Sequence, residues 1–191
     1  MAKSVLIMGH SYVRRLVEHL QRYRQHNLGL QPDQYFVQFA FRGGAHLDFL
    51  KAPDTLRTVR RIRPSLVLLE IGTNDLSLAS TNPLILAAAV FQFARRLIDE
   101  FQVTRVVVCQ IVHRFPGPRF TFPYAGFNEA VDAYNAELQR LAAGSAGSVV
   151  FWRHPRMQLQ VQRFIVDGVH FNFAGMKKHL NSLKHAVVKF A

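Results

Sequence analysis

The chain has 191 residues, of which 49% are hydrophobic and 19% are charged, and its 24 Lys and Arg against 12 Asp and Glu give a formal net charge of +12. This composition excludes a disordered chain, and the one cysteine, Cys109, excludes an internal disulfide. The length fits one domain over 1–191, and no apolar run is long enough to cross a bilayer.

Apolar runs alternate with segments of helical periodicity along the whole chain. They predict strands at 4–8, 35–41, 66–71, 105–112 and 148–153. They predict helices at 12–26, 48–62, 83–101, 126–143 and 173–190, with a long proline-rich loop at 113–125. Strands that are apolar throughout favour a parallel sheet covered on both faces, so we expect an α/β fold, a three-layer α/β/α sandwich.

Polar and glycine residues follow the predicted strands at the edge where such a sheet carries its reactive site. Ser11 follows the first strand in GHS, and Gly43 and Gly44 follow the second. Asn74 follows the third strand in GTND. Near the end of the chain stands DGVHFN, which begins at residue 167. The predicted topology brings these distant blocks to one edge.

The residue types at this edge suit acyl transfer. A serine such as Ser11 is a poor nucleophile until a base takes its proton, and His170 titrates in the right range to be that base. Asp167, three positions earlier, can orient His170 and stabilise its imidazolium. The N–H groups of Ser11 and Gly44 and the side-chain amide of Asn74 are candidate oxyanion-hole donors. Ser11 as a helix N-cap, and Asn74 as a turn residue, are the alternative interpretations.

The four blocks resemble those of the SGNH hydrolases, also called GDSL-type esterases. Four residues match those that name the family: Ser11, Gly44, Asn74 and His170. Asp167 matches the family's aspartate, and Gly43 is the alternative register for the glycine. The resemblance implies a flavodoxin-like sheet of five parallel strands and a serine esterase without a cofactor. It also implies hydrolysis of small-molecule or lipid carboxylic esters through an acyl-serine, with short acyl groups, acetyl above all, favoured.

Several further residues are candidates for substrate contact. His10 stands where the family usually carries aspartate, and an unpaired imidazole there would lie beside the nucleophile. Gly43, His46, His113 and Phe115 are expected at the site edge. The segment 114–120 mixes cations with aromatics and could form a lid, an acyl-binding wall or a base-stacking surface. Histidines on predicted helices are expected to be solvated: His19, His26, His179 and His185. The spacing of Cys, His and carboxylates predicts no metal site.

The excess positive charge supports a second hypothesis, a module that binds RNA or an anionic membrane, with catalysis secondary or lost. Arginines at 14–15, 57–63 and 95–96 could form one basic face with lysines at 177–189. With its GHS block, the chain also resembles the esterase domains encoded in the first open reading frame of some animal non-LTR retrotransposons. Acyl transfer to an alcohol is equally compatible with the residues. We expect a cytoplasmic protein, which could be a domain of a longer one.

Overall fold

A five-stranded sheet forms the centre of the computed structural model, which describes residues 2–119, 124–155 and 157–191. All strand pairs are parallel, and the order is β2-β1-β3-β4-β5. The strands are β1 (Lys3–Gly9), β2 (Tyr35–Phe41), β3 (Leu66–Glu70), β4 (Arg105–Cys109) and β5 (Val149–Trp152). The predicted five-stranded parallel sheet is therefore confirmed.

Helices cover both faces of the sheet. They are α1 (Ser11–Arg22), α2 (Leu47–Lys51), α3 (Pro53–Ile62), α4 (Pro83–Phe101), α5 (Tyr124–Ala143) and α6 (Phe173–Phe190), with 3-10 turns at Asn27–Gly29, Asp75–Ser77 and Gln158–Phe164. One apolar cluster joins α1 and α6 to the sheet, and the other joins α2, α3, α4 and α5 to the opposite face. The three-layer α/β/α sandwich is thus confirmed. Across the described ranges, no helix combines the length and apolarity needed to cross a membrane.

Three predicted elements differ from the structure for local reasons. The helix predicted at 48–62 is two helices, because Ala52 before Pro53 takes an extended conformation that a following proline favours. The helix predicted at 12–26 ends at Arg22, and Arg24 has a φ of 50°. The strand predicted at 105–112 stops pairing at Cys109. Beyond it, Asn135 Oδ1 accepts the backbone N–H of Ile111 at 3.0 Å, and Asn135 Nδ2 donates to the Ile111 carbonyl at 2.8 Å.

The register of the central strand positions the loops that carry the predicted site. Gly9, the last residue of β1, pairs with Phe41 of β2 and Glu70 of β3. A side chain at Gly9 would lie 2.2 Å from the Glu70 carbonyl oxygen, so this close approach requires glycine. Ser11, two residues beyond the pairing level, therefore lies between the loop that follows β2 and the loop that follows β3.

Candidate active site

Ser11 is the first residue of α1, directly after the turn that follows β1. Its neighbour His10 caps the helix, because His10 Nδ1 accepts a hydrogen bond from the Tyr12 N–H at 3.3 Å. The N-cap interpretation of Ser11 is therefore wrong, and the Ser11 hydroxyl is not used for capping. Its backbone N–H belongs to the first turn, where N–H groups have no partner within the helix.

His10 is not the unpaired, substrate-facing imidazole that the sequence suggested. It is only 2% exposed and makes the helix cap described above. Burial lowers the pKa of His10 to about 4, so the ring is neutral at pH 7. Its role in the structure is to connect the end of β1 to the start of α1.

The fold brings Ser11, His170 and Asp167 into one hydrogen-bonded series. His170 Nε2 lies 3.2 Å from Ser11 Oγ, and His170 Nδ1 lies 2.8 Å from Asp167 Oδ2. The other oxygen of Asp167 accepts the backbone N–H groups of Val169 and His170 at 3.1 and 2.7 Å. Gly168, with a φ of 88°, allows the tight turn that places the carboxylate beside the ring.

The electrostatics of this series favour a neutral base beside an ionised carboxylate. Burial raises the pKa of Asp167, but the hydrogen bonds from the His170 ring and from the turn backbone outweigh it and hold that pKa at about 2. Burial lowers the pKa of His170, and the hydrogen bond to Asp167 opposes this effect. Because Nδ1 faces a carboxylate, the ring proton belongs there, and Nε2 directs its lone pair at Ser11.

The turn that carries Asp167 and His170 is held from two other parts of the chain. The Tyr12 hydroxyl on α1 donates to the Val169 carbonyl at 2.6 Å. The Phe115 N–H, in the loop after β4, donates to the carbonyl of residue 168 at 3.0 Å. Phe115 is half-buried and packs against the apolar cluster beneath α1 and α6. Its backbone thus supports the site, while contact between its ring and a substrate stays a prediction.

The loop after β4 also packs directly on Asp167. The Arg119 N–H donates to the Asp167 carbonyl at 3.2 Å, and Arg119 Nε lies 3.4 Å from Asp167 Oδ2. Gly117 approaches so closely that a Cβ there would lie 2.5 Å from the Asp167 carbonyl carbon. This loop therefore fixes the acidic end of the series. Residue 120, the last of the predicted lid segment 114–120, lies outside the described residues, as do residues 121–123 of the predicted loop.

The two loops that carry the candidate oxyanion donors are tied together. The Asn74 side-chain amide donates to the Ala45 carbonyl at 2.9 Å, and Asp75 Oδ1 accepts the Leu47 N–H at 3.0 Å. Gly44 has a φ of 72°, a conformation that glycine adopts without strain. Each primary amide has two N–H donors, so Asn74 keeps one for a second acceptor.

Arg114 is a residue whose role the sequence did not indicate. It belongs to the predicted lid, yet it is only 5% exposed and stacks over the Phe127 ring at 4.6 Å. Its guanidinium donates to the Thr73 carbonyl and hydroxyl, each at 3.1 Å, and to Asn74 Oδ1 at 3.4 Å. Arg114 thus holds the loop after β3 and orients the Asn74 amide. A cation in a proline-rich loop carries no signal of such a role.

The remaining predicted contact residues have other neighbours. His113 Nε2 lies 2.8 Å from an Asp132 carboxylate oxygen on α5, and His46 Nδ1 lies 3.7 Å from Asp75 Oδ1. Gly43 is exposed, and a Cβ there would lie 3.4 Å from the Arg14 Nε on α1. Substrate contact by these residues stays a prediction.

His179 corrects the expectation that the helical histidines are solvated. It is 0% exposed, and its Nε2 lies 3.0 Å from Glu70 Oε1, at the end of β3. Burial raises the pKa of Glu70, but the charge and hydrogen bond of His179 outweigh it and give a pKa of about 2. His185 is exposed, as predicted. Helical periodicity alone did not distinguish these two residues of α6.

Comparison with known proteins agrees with the observed fold and with the sequence motifs around Ser11, Asn74 and His170. The model of the GDSL-like Lipase/Acylhydrolase family matches residues 8–178. None of the curated proteins matches the sequence significantly.

Among solved structures, the acetyl xylan esterase AlAXEase superposes with a TM-score of 0.71 at 17% identity, covering 96% of this chain and 99% of that one. A GDSL-like lipase from Bacteroides thetaiotaomicron has a TM-score of 0.64 at 17% identity, covering 98% and 88%. A catalytic mutant of Axe2, an acetylxylan esterase from Geobacillus stearothermophilus, has a TM-score of 0.66 at 15% identity, covering 97% and 94%.

At such identities these superpositions show the fold, whereas the family assignment comes from the sequence match. That match covers most of the chain and includes the blocks that contain Ser11, Asn74 and His170. The chain therefore belongs to the GDSL-like lipase/acylhydrolase family and is a carboxylic ester hydrolase.

Proposed function

We propose that the chain hydrolyses esters through an acyl-serine formed on Ser11. His170 Nε2 takes the hydroxyl proton as Ser11 Oγ attacks the carbonyl carbon, and Asp167 stabilises the imidazolium that forms. His170 then returns the proton to the leaving alcohol. In the second half, His170 activates a water molecule, which attacks the acyl carbon and releases the acid and free Ser11.

The observation that carries this proposal is the continuous series of polar contacts at the sheet edge. The distances of 3.2 Å from Ser11 Oγ to His170 Nε2 and 2.8 Å from His170 Nδ1 to Asp167 Oδ2 are those of a nucleophile, base and orienting acid. The alternative of a catalytically lost relative has no support in this geometry, since each group needed for proton transfer is present.

We assign the oxyanion hole to the N–H groups of Ser11 and Gly44 and to the side-chain amide of Asn74. Two observations support this assignment. The loops after β2 and β3 flank the start of α1, and the hydrogen bond from Asn74 to Ala45 fixes these loops to each other. Loss of one such donor typically costs on the order of 100-fold in kcat. Ala45 is buried, so this bond is shielded from water.

The substrate we favour is an ester of a short acyl group, acetyl first. Two of the structural neighbours are named as acetylxylan esterases, which supports acetyl esters as the class to test. Gly43 and Gly44, in the loop after β2, are exposed. We infer that a large alcohol, such as a sugar, approaches Ser11 from this side.

The test compares Ser11→Ala with Ser80→Ala, a change at an exposed loop serine. On p-nitrophenyl acetate we expect no turnover above background for Ser11→Ala and full turnover for Ser80→Ala, with unchanged circular dichroism for both. A fluorophosphonate probe should label the parent and Ser80→Ala but not Ser11→Ala. Undiminished hydrolysis by Ser11→Ala would refute the nucleophile assignment.

A chain-length series defines the acyl preference. With p-nitrophenyl esters from acetate to octanoate, we expect kcat/KM to be highest for acetate and to fall with each lengthening. A maximum at octanoate would refute the acetyl preference while leaving the nucleophile assignment intact. Adding a sugar in excess as acyl acceptor separates the two fates of the acyl-serine. A transferase gives the acetylated sugar, and a hydrolase gives acetate.

A second candidate function is RNA binding on the surface formed by α1 and α6. Tyr23 and Phe173 are 47% and 55% exposed, with ring centroids 5.6 Å apart, and Lys177 Nζ lies 5.6 Å from the Phe173 ring. Exposed aromatic rings beside cations are suited to stacking on unpaired bases. The single basic face predicted from sequence is not supported, because α3 and α4 cover the opposite face of the sheet from α1 and α6.

The RNA hypothesis is tested by titration with single-stranded RNA at increasing salt. We expect binding that weakens steeply with salt and that Phe173→Ala reduces more than Leu84→Ala, a change at an exposed apolar residue of α4. Binding to anionic vesicles but not to RNA would instead assign this surface to a membrane. No binding to either at low salt would remove both alternatives.

A further inference from the structure

A cluster of buried polar side chains lies in the layer between the sheet and α6. Glu70 ends β3, Cys109 ends β4, His154 follows β5, and His179 lies on α6. The first three come from neighbouring strands, since Leu69 pairs with Val108, and Cys109 with Trp152. All four ligand-type side chains are buried. A carboxylate in such a layer requires positive charge or several donors.

Three of these side chains are close enough to share one small metal ion, and His179 reaches the same carboxylate. Ligand atoms of Glu70, Cys109 and His154 all lie within 4.8 Å of one another. The Nε2 atoms of His179 and His154 lie 3.0 and 3.5 Å from the same oxygen, Glu70 Oε1. Tetrahedral zinc with bonds of about 2.0–2.3 Å places its ligand atoms roughly 3.3–3.7 Å apart.

The surroundings of His154 fit a ligand role. His154 Nδ1 lies 2.8 Å from Ser182 Oγ, which also accepts the Trp152 indole N–H at 3.0 Å. A proton on Nδ1 leaves the Nε2 lone pair directed at the cluster. Histidine ligands of metals are usually held in this way, with the second ring nitrogen donating to a neighbouring oxygen.

Hydrogen bonding does not account for the approach of His154 to Glu70. The Nε2 atom of His179 lies at hydrogen-bond distance from Glu70 Oε1, 3.0 Å, whereas that of His154 lies 3.5 Å from the same oxygen, beyond the usual N–H···O range. A cation between these atoms would turn the crowded contacts into bonds.

We propose that Glu70, Cys109, His154 and His179 bind one zinc ion in a closed, structural site. The thiolate and the carboxylate balance the two positive charges of the ion, and the two imidazoles bind as neutral ligands through Nε2. Binding replaces the thiol proton of Cys109, which passes to solvent. A sulfur, nitrogen and oxygen ligand set of this kind selects zinc over magnesium or calcium.

This site is separate from the proposed esterase residues and does not depend on them. The Tyr12 ring lies between the two, 5.9 Å from the His179 ring, and its hydroxyl holds the turn that carries His170. The sequence predicted no metal site because the four ligands come from four different segments. Only the parallel sheet brings these segments together.

The experiment uses the full chain, produced in zinc-supplemented medium, dialysed without chelator and assayed for metal by mass spectrometry. We expect about one zinc per chain in the parent protein and in His185→Asn, a change at an exposed histidine of α6. Cys109→Ser and His154→Asn should lose most of it. Refolding with Co²⁺ should give the parent strong visible bands and a near-ultraviolet thiolate charge-transfer band, which Cys109→Ser lacks.

Three results would overturn the proposal, and the first two use the parent protein alone. One is parent protein with far less than one zinc per chain and no absorbance change on refolding with Co²⁺. Another is Co²⁺ bound with weak, octahedral spectra and no charge-transfer band, which would place the ion elsewhere. Loss of zinc from His185→Asn as well would equally assign the metal to surface histidines.

Discussion

Replacing Asp167 with asparagine separates the charge of this residue from its shape. The two backbone N–H groups that Asp167 Oδ1 accepts require an oxygen at that position. In Asp167→Asn the amide nitrogen must therefore face His170 Nδ1. That nitrogen donates and cannot accept, so the ring must shift its proton to Nε2. His170 then presents an N–H, and no lone pair, to Ser11.

The size of the loss follows from two contributions. The hydrogen bonds that hold the pKa of Asp167 at about 2 keep it ionised at neutral pH, so the variant loses a negative charge beside the imidazolium that forms during attack. A hydrogen bond to a charged group is worth about 1.5–3 kcal/mol, which is roughly 10- to 150-fold in rate, and the wrong tautomer adds to it. We expect kcat to fall by about 10³–10⁴ with little change in KM.

Steady-state hydrolysis of p-nitrophenyl acetate measures this loss. The matched control is Asp132→Asn, which makes the same chemical change at the His113–Asp132 pair on α5. We expect kcat of this control within twofold of the parent, on the order of the effect of a surface pair. A decrease of less than tenfold for Asp167→Asn, or equal decreases for both variants, would refute the role given to Asp167.

Burial lowers the pKa of His170 below 6.5, and the base works only when neutral, so kcat/KM should fall with decreasing pH through a midpoint below 6.5; a pH–rate profile with a midpoint above 7 contradicts this. Gly117→Ala should destabilise the fold by about 1–3 kcal/mol and lower activity, because its Cβ would lie 2.5 Å from the Asp167 carbonyl carbon. Urea titration measures the free energy of unfolding of both variants. The matched control is Gly126→Ala, where a Cβ meets no atom within 4 Å, so its stability should be unchanged or higher. Arg114→Met should lower kcat about tenfold with little change in KM, since Arg114 orients Asn74, a proposed oxyanion donor; equal loss of stability and activity would show that Arg114 is a structural residue only.

The sequence predicted the sheet well because β3 and β4 are apolar except for one charged residue at an end of each, and because the longer helices have a clear periodicity. It predicted the convergence of Ser11 and His170 because the carboxyl ends of parallel strands share one edge. The predicted ends of strands and helices were less accurate, because these ends depend on contacts with side chains that are distant in the sequence. Asn135, which stops the pairing of β4, is an example.

The polar interior was not predictable in the same way. Glu70 stands in an apolar strand and His179 in a helix whose periodicity does not reveal the sheet position it faces. Their contact at 3.0 Å depends on which helix covers which face, and a single sequence does not specify that. His10 gave the opposite error, because a histidine beside a nucleophile suggested a substrate contact while the local backbone needed a cap.

Tyr12 stands one residue after the proposed nucleophile, Ser11, and holds the carbonyl of Val169, one residue before the proposed base, His170. The helix that presents the hydroxyl therefore also carries the anchor for the imidazole. We therefore expect a displacement of α1 to move the Val169 carbonyl in the same direction, which limits the change in the distance between Ser11 Oγ and His170 Nε2. Proton transfer is sensitive to fractions of an ångström in that distance, so this one hydrogen bond bears directly on the proposed reaction.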